Sequence, residues 1–146
     1  MSNTFIVKNI EELSKVVDKF SADLKFDKPN LILLKGDLGS GKTTFTSILA
    51  KKLMIQEPIQ SPSYNIAYEY DMNDSKLIHI DLWRLDKKDI ASLKISDYLT
   101  DSNILVVEWA EKLDDQYSKN LDCYIWEVII HEKSQKERQI IINKSK

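Results

Sequence analysis

All three glycines of this 146-residue chain fall between positions 36 and 41. They lie in Leu33-Leu34-Lys35-Gly36-Asp37-Leu38-Gly39-Ser40-Gly41-Lys42-Thr43-Thr44. A chain that makes every other turn without glycine has gathered its capacity for positive φ into one loop. The run before it, Leu31-Ile32-Leu33-Leu34-Lys35, is apolar until its last residue, as expected of a strand buried on both faces. After it, Phe45, Ile48, Leu49 and Leu53 recur at helical spacing. A buried strand, a glycine loop and an amphipathic helix in that order leave few folds open.

Residues 36 to 43 match G-x-x-x-x-G-K-[ST], the phosphate-binding P-loop. To wrap a polyphosphate, successive backbone N–H groups must point inward, which requires positive φ and leaves no room for Cβ atoms. The helix that follows adds oriented N–H groups and a partial positive charge at its start. The motif therefore predicts contacts to a nucleotide from Gly36, Asp37, Leu38, Gly39, Ser40, Gly41, Lys42, Thr43 and Thr44. Lys42 would reach the β- and γ-phosphates, and the Thr43 hydroxyl would ligate Mg²⁺.

The rest of the chain is read around that unit. Asn9 with Glu12 resembles a capping box opening a helix whose apolar face is Leu13, Val16, Val17 and Phe20. Residues 4–7 read as an edge strand, 61–70 and 76–83 as two strands joined by a turn at 72–75, and 104–108 as a second central strand. A short helix capped by Asp86 lies between them. Residues 123–130 and 138–143 read as a final strand pair. The interleaving predicts an α/β fold, P-loop NTPase-like, with a mainly parallel central sheet flanked by helices and antiparallel strands at the margins. One P-loop domain is expected over 1–146.

A net charge of −2 argues against a broad basic face for DNA or RNA. No run is long and apolar enough to span a bilayer, and the N-terminus lacks a signal-peptide pattern. The lone Cys123 excludes an internal disulfide, and no Cys/His cluster has metal-ligand spacing. These features make the cytoplasm the expected compartment.

A P-loop predicts binding; hydrolysis needs carboxylates and a positioned water. Glu108 ends Ile104-Leu105-Val106-Val107, at the edge of the sheet where open α/β folds place ligands. An acid there could hold Mg²⁺ through water or orient the attacking water; the competing reading is an ordinary strand-end glutamate. In His79-Ile80-Asp81, the histidine and aspartate share one strand face, which suits either a polar site or a half-solvated surface. His79 alone reads as structural. Trp109, taken alone, reads as core, as do Trp83 and Trp126. Only two arginines occur, Arg84 and Arg138; no arginine finger is obvious, and Arg84 is equally a candidate for that role, for a structural ion pair or for a partner contact.

GDLGSGKTT, SPSY, HIDLWR and VVEW, in this order and at these spacings, resemble the TsaE (YjeE) family, the small P-loop ATPases of bacterial tRNA threonylcarbamoyladenosine biosynthesis. The resemblance runs from about residue 5 to residue 142. It implies an Mg²⁺-dependent ATPase, weak alone and stimulated by the partners TsaB and TsaD, with tRNA reached indirectly through their complex. It places Asp81 and Glu108 near Mg²⁺ and the attacking water, and stacks Trp109 on adenine. It makes Ser61-Pro62-Ser63-Tyr64 a nucleotide-sensitive stretch. Two positions depart from the family pattern: Ser63 stands for threonine, and Lys94 for a glycine at a helix stop.

Two other classes compete with this reading. A small P-loop kinase would need an acceptor pocket, a lid and several arginines on the phosphates; two arginines and little spare length weigh against it. A GTPase-like switch would need N-K-x-D, and the nearest match, Asn143-Lys144-Ser145-Lys146, lacks the acid.

Overall fold

The computed structural model describes residues 2–60, 66–114, 117 and 120–146. The elements run β1 (Ser2–Val7), α1 (Ile10–Ala22), β2 (Asn30–Lys35), α2 (Lys42–Lys52), β3 (Ala67–Asp71), β4 (Lys76–Asp81), α3 (Lys87–Ser92), β5 (Ile104–Glu108), β6 (Tyr124–Glu132) and β7 (Arg138–Lys144). The strands form one seven-stranded sheet in the order β1-β7-β6-β2-β5-β4-β3. The pairs β6–β2, β2–β5 and β5–β4 are parallel, while β1–β7, β7–β6 and β4–β3 are antiparallel. The parallel pairs sit together in the middle and the antiparallel ones at the margins, as the sequence predicts.

The apolar runs explain that order. In β2, Ile32 and Leu34 pack into the core beneath α1 and α2, while Leu31 and Leu33 pack into a second core on the opposite face. β5 divides the same way, with Ile104 and Val106 on one side and Leu105 and Val107 on the other. A strand apolar at every position lowers its free energy only where both faces are covered. Each such side chain contributes roughly 1.5–3 kcal/mol through burial. On the helical side, Phe20 of α1 joins the layers, its ring 5.7 Å from Phe45 of α2 and 5.1 Å, edge-on, from Trp126 of β6.

The local signals operate largely as read. Asn9 caps α1 by accepting from the Glu12 N–H at 2.8 Å. Glu12 reaches back to the Lys8 N–H, one residue earlier than a reciprocal box would place it. Asp86 caps α3 through the Asp89 N–H. The hairpin turn closes with Met72 N–H on the Ser75 carbonyl. β4 stops at Asp81, short of the expected 83, because the Asp81 carboxylate accepts the Trp83 N–H at 2.9 Å and turns the chain. β3 begins at Ala67; residues 61–65 of the strand expected over 61–70, and with them the whole Ser61-Pro62-Ser63-Tyr64 stretch, lie outside the described residues. Lys94 needs no left-handed backbone: α3 ends at Leu93 and Lys94 in extended conformations. Among the described residues no helix is long and apolar enough to cross a membrane.

Candidate nucleotide site

β2, β4 and β5 are parallel, so their C-terminal ends open on one edge, where the glycine loop, Asp81 and Glu108 meet. Register fixes the spacing: Glu108 lies opposite Leu34 on β2 and opposite Asp81 on β4. Paired residues on neighbouring strands point the same way, so both acids face α2.

The loop is held open by its surroundings. A Cβ on Gly36 would meet the Ile130 carbonyl oxygen at 2.5 Å and Ser40 Oγ at 2.7 Å. Gly41 enters α2 at φ +113 without a side-chain cap, and the first turn of α2 carries no acid. α1 and α3 bond their own first turns through Asn9 and Asp86. α2 leaves its leading N–H groups and positive end facing outward, the arrangement that binds anions.

Lys42, only 5% exposed, donates to the carbonyls of Gly36 and Asp37, the latter at 3.0 Å. Its ammonium also lies 4.1 Å from the centroid of the Trp109 ring. Burial pushes its pKa down, while Glu111, Glu108, Asp81 and Asp37 act against the shift. Thr43 Oγ1 lies 3.0 and 3.2 Å from the two Glu108 carboxylate oxygens. The hydroxyl proton is thus directed at Glu108, and the oxygen lone pairs are directed elsewhere. Glu108 is 2% exposed and its second oxygen also meets His79 Nε2. Burial raises the Asp81 carboxyl above its usual range; the Trp83 N–H opposes this and Glu108 adds to it.

Of the site residues read from sequence, Lys42, Thr43, Asp81, Glu108 and Trp109 line one cleft of about 310 Å³ with Leu38, Gly39, Gly41 and Thr44. Gly36, Asp37 and Ser40 shape the loop from behind. Arg84 is exposed and does not line the cleft. Three residues with roles here were not singled out as such. Trp83 is 47% exposed and stacks on Trp109, centroids 4.4 Å apart. Glu111 accepts the Gly36 N–H at 3.1 Å, and Lys112 donates to the carbonyls of Leu82, Trp83 and Leu85. The only sequence signal for the last two is their position directly after Glu108-Trp109. What brings them in is Trp109 itself, a non-glycine residue at φ +58 that turns the chain into the short 3₁₀ segment Ala110–Lys112.

An uncapped helix behind a glycine loop, with a lysine, a threonine and two strand-end acids converging on it, defines a P-loop nucleotide-binding protein. The family model of the threonylcarbamoyl adenosine biosynthesis protein TsaE matches residues 7–140, and the chain belongs to that family. The TsaE protein of Bacillus subtilis is 32% identical over 130 residues, covering 88% of this chain and 78% of that protein. The one from Nostoc sp. is 40% identical over 88 residues, covering 58% of this chain. The matched region spans about half of the Nostoc protein, 54%. The crystal structure of YdiB from Bacillus subtilis superposes with a TM-score of 0.76 at 25% identity, covering all of this chain and 87% of that one.

Proposed function

We propose that this chain is a single P-loop domain, 1–146, that binds ATP with Mg²⁺ and hydrolyses it in the cytoplasm. It acts as the ATPase subunit of tRNA threonylcarbamoyladenosine synthesis, working with TsaB and TsaD and meeting tRNA through their complex. One observation carries the catalytic half of this reading: Thr43 and Glu108 are hydrogen-bonded to each other in the cleft that Lys42 also lines. The Thr43 hydroxyl and the Glu108 and Asp81 carboxylates are hard oxygen donors, the kind Mg²⁺ takes. Among the described residues no group of three or more His, Cys, Asp or Glu could hold a metal unaided, which suits an ion that keeps waters and phosphate oxygens as ligands. Bound there, Mg²⁺ would offset charge on the β- and γ-phosphates.

The residues divide the remaining work. Lys42 exchanges its two loop carbonyls for phosphate oxygens. The α2 N–H groups bind the phosphate chain. Asp81 commits one carboxylate oxygen to the Trp83 N–H and keeps the other for a water, while Glu108 holds Thr43 toward the metal. These acids mark the γ-phosphate end of the loop. At the other end, Lys8, Asn9, Ile10, Thr44, Gln135 and Lys136 line a separate cavity of about 270 Å³, which takes the nucleoside. Trp109 remains a lining residue of the nucleotide cleft. Its ring meets the Lys42 ammonium and the Trp83 ring, which supports a place beside the phosphates in preference to the adenine stacking that the resemblance implies.

The test is ATP hydrolysis by the purified protein, alone and with TsaB plus TsaD, against Lys42→Ala and Glu108→Ala. Stimulation by the partners that both variants lose is the expected result. Equal, feeble turnover with and without the partners would overturn the assignment to that assembly.

A further inference from the structure

We infer that His79 is a positioning residue that sets the rotation of the Glu108 carboxylate by donating to it from Nε2. The inference rests on the nucleotide-site reading above, in which Glu108 holds Thr43 toward the metal. His79 is wholly buried, 0% exposed, and its Nε2 meets Glu108 Oε2. Its Nδ1 is buried without a hydrogen-bond partner among the described residues.

The tautomer follows from counting donors. A neutral imidazole has one N–H and one lone pair. A proton on Nδ1 alone would bury an unpartnered N–H and also turn the Nε2 lone pair against a carboxylate oxygen. A proton on Nε2 makes a charge-assisted hydrogen bond and leaves only one acceptor unmet. The strand register supplies the geometry. His79 lies opposite Val106, two pairs behind the Asp81–Glu108 pair and so on the same face. The contact is therefore a diagonal one across parallel strands, made in a region walled by Leu77, Ile104 and Val106 of the core.

Two donors then grip one carboxylate, Thr43 chiefly at Oε1 and His79 at Oε2. A carboxylate held by one donor swings about its terminal bond; held by two, its remaining lone pairs keep one direction, toward the cleft. Loss of an outer partner of this kind commonly lowers metal affinity or activity about 10- to 100-fold. H-x-D is thus one device, its aspartate at the cleft and its histidine aiming the neighbouring strand's glutamate.

The test compares His79→Leu, which has no donor, with His79→Gln, whose amide keeps one. We expect His79→Leu to lower kcat about 10- to 100-fold and to raise the Mg²⁺ concentration needed for half-maximal turnover. The affinity of a fluorescent ADP analogue in EDTA should stay unchanged. His79→Gln should recover most of the kcat and the Mg²⁺ dependence. A His79→Leu protein with wild-type kcat and Mg²⁺ dependence, or a His79→Gln protein no better than it, would overturn the inference. A second readout needs no change at the site. The chain has two histidines, and His131 is exposed, so ¹⁵N-histidine spectra of the wild type and His131→Gln assign His79 directly. A protonated Nε2 supports the inference, and a bare Nε2 overturns it. If the wild type neither binds nucleotide nor hydrolyses it, the nucleotide-site reading fails, and the spectrum still reports separately which nitrogen faces Glu108.

Discussion

Substituting alanine at two glycines of one loop separates what the fold demands from what the ligand demands. At Gly36 an added methyl meets the Ile130 carbonyl at 2.5 Å, well inside the roughly 3.5 Å at which nonbonded carbon contacts become favourable. That carbonyl belongs to β6, which is bonded to β2 on one side and β7 on the other, so it cannot retreat cheaply. Overpacking of this kind costs about 1–3 kcal/mol. The left-handed backbone, φ +152, adds about 1–2 kcal/mol. Gly39 has φ +78, but a methyl there would find nothing within 4 Å, so Gly39→Ala costs only the backbone term, about 1–2 kcal/mol. At about 2–4 °C per kcal/mol for a chain of this length, Gly36→Ala should melt about 10 °C below the wild type. Gly39→Ala should melt about 4 °C below it. Binding of ADP should show the reverse emphasis: the Gly39 methyl enters space meant for phosphate and weakens binding tenfold or more, about 1.4 kcal/mol. Urea titrations give the stabilities and calorimetry the affinities. Equal melting of the two variants would refute the claim that β6 locks the loop. Unaltered ADP affinity in Gly39→Ala would refute the placement of phosphate beside it.

Glu108→Gln keeps an oxygen for Thr43 but loses the charge; hydrolysis should fall about 10²–10³-fold with ADP affinity in EDTA retained, and parallel losses of both would count against its role. Trp109→Ala should leave ADP affinity within a few-fold while raising KM for ATP, as measured by calorimetry and turnover; a selective loss of adenine nucleotides relative to others would restore the base-stacking role. Glu127 accepts from Lys35 at 2.7 Å and, more loosely, from Asn143, and the Lys35 hydrogen bond holds its carboxyl below the ordinary 4.5. Its contribution is therefore present above that unfolded-chain value and is lost as the pH falls through the depressed one. Because both side chains are about 30% exposed, Glu127→Gln should cost at most about 1 kcal/mol at neutral pH, and the gap between wild type and variant in urea titrations should close in acid.

Elements with a strong local cause were legible. β2 and β5 announced burial on both faces because 31–34 and 104–107 are apolar at every position, and α1 and α3 announced their starts through Asn9 and Asp86. The loop was legible because its chemistry needs glycine. What escaped was set by the partner strand or by a single dihedral. β4 ends at Asp81 through a side-chain hydrogen bond that competes with the ladder, and strand propensity carries no record of it. His79 looked structural because its partner, Glu108, is 29 residues away and only the β4–β5 register joins them. Glu111 and Lys112 enter the site because Trp109 takes a left-handed backbone, which nothing in Val106-Val107-Glu108-Trp109 foretells.

The cleft gathers terms that each disfavour folding. Two acids stand side by side across β4 and β5, a histidine nitrogen is buried without a partner among the described residues, and a tryptophan sits at φ +58. Such a backbone costs of order 1–3 kcal/mol by itself. They persist because the strands that carry them are anchored one or two residues behind, where Leu34, Ile80 and Val107 are fully buried. The anchoring is asymmetric. Behind the acids the sheet is packed on both faces, and ahead of them the chain is secured by Lys112, whose ammonium holds three carbonyls of residues 82–85. A cation bound to carbonyls is held less tightly than one bound to carboxylate, so the segment bearing Trp83 and Arg84 is secured less firmly than the acids behind it. The partner-stimulated ATPase proposed above would use that division: firmly held acids on one side, and a less firmly held segment at the mouth where another protein can reach it.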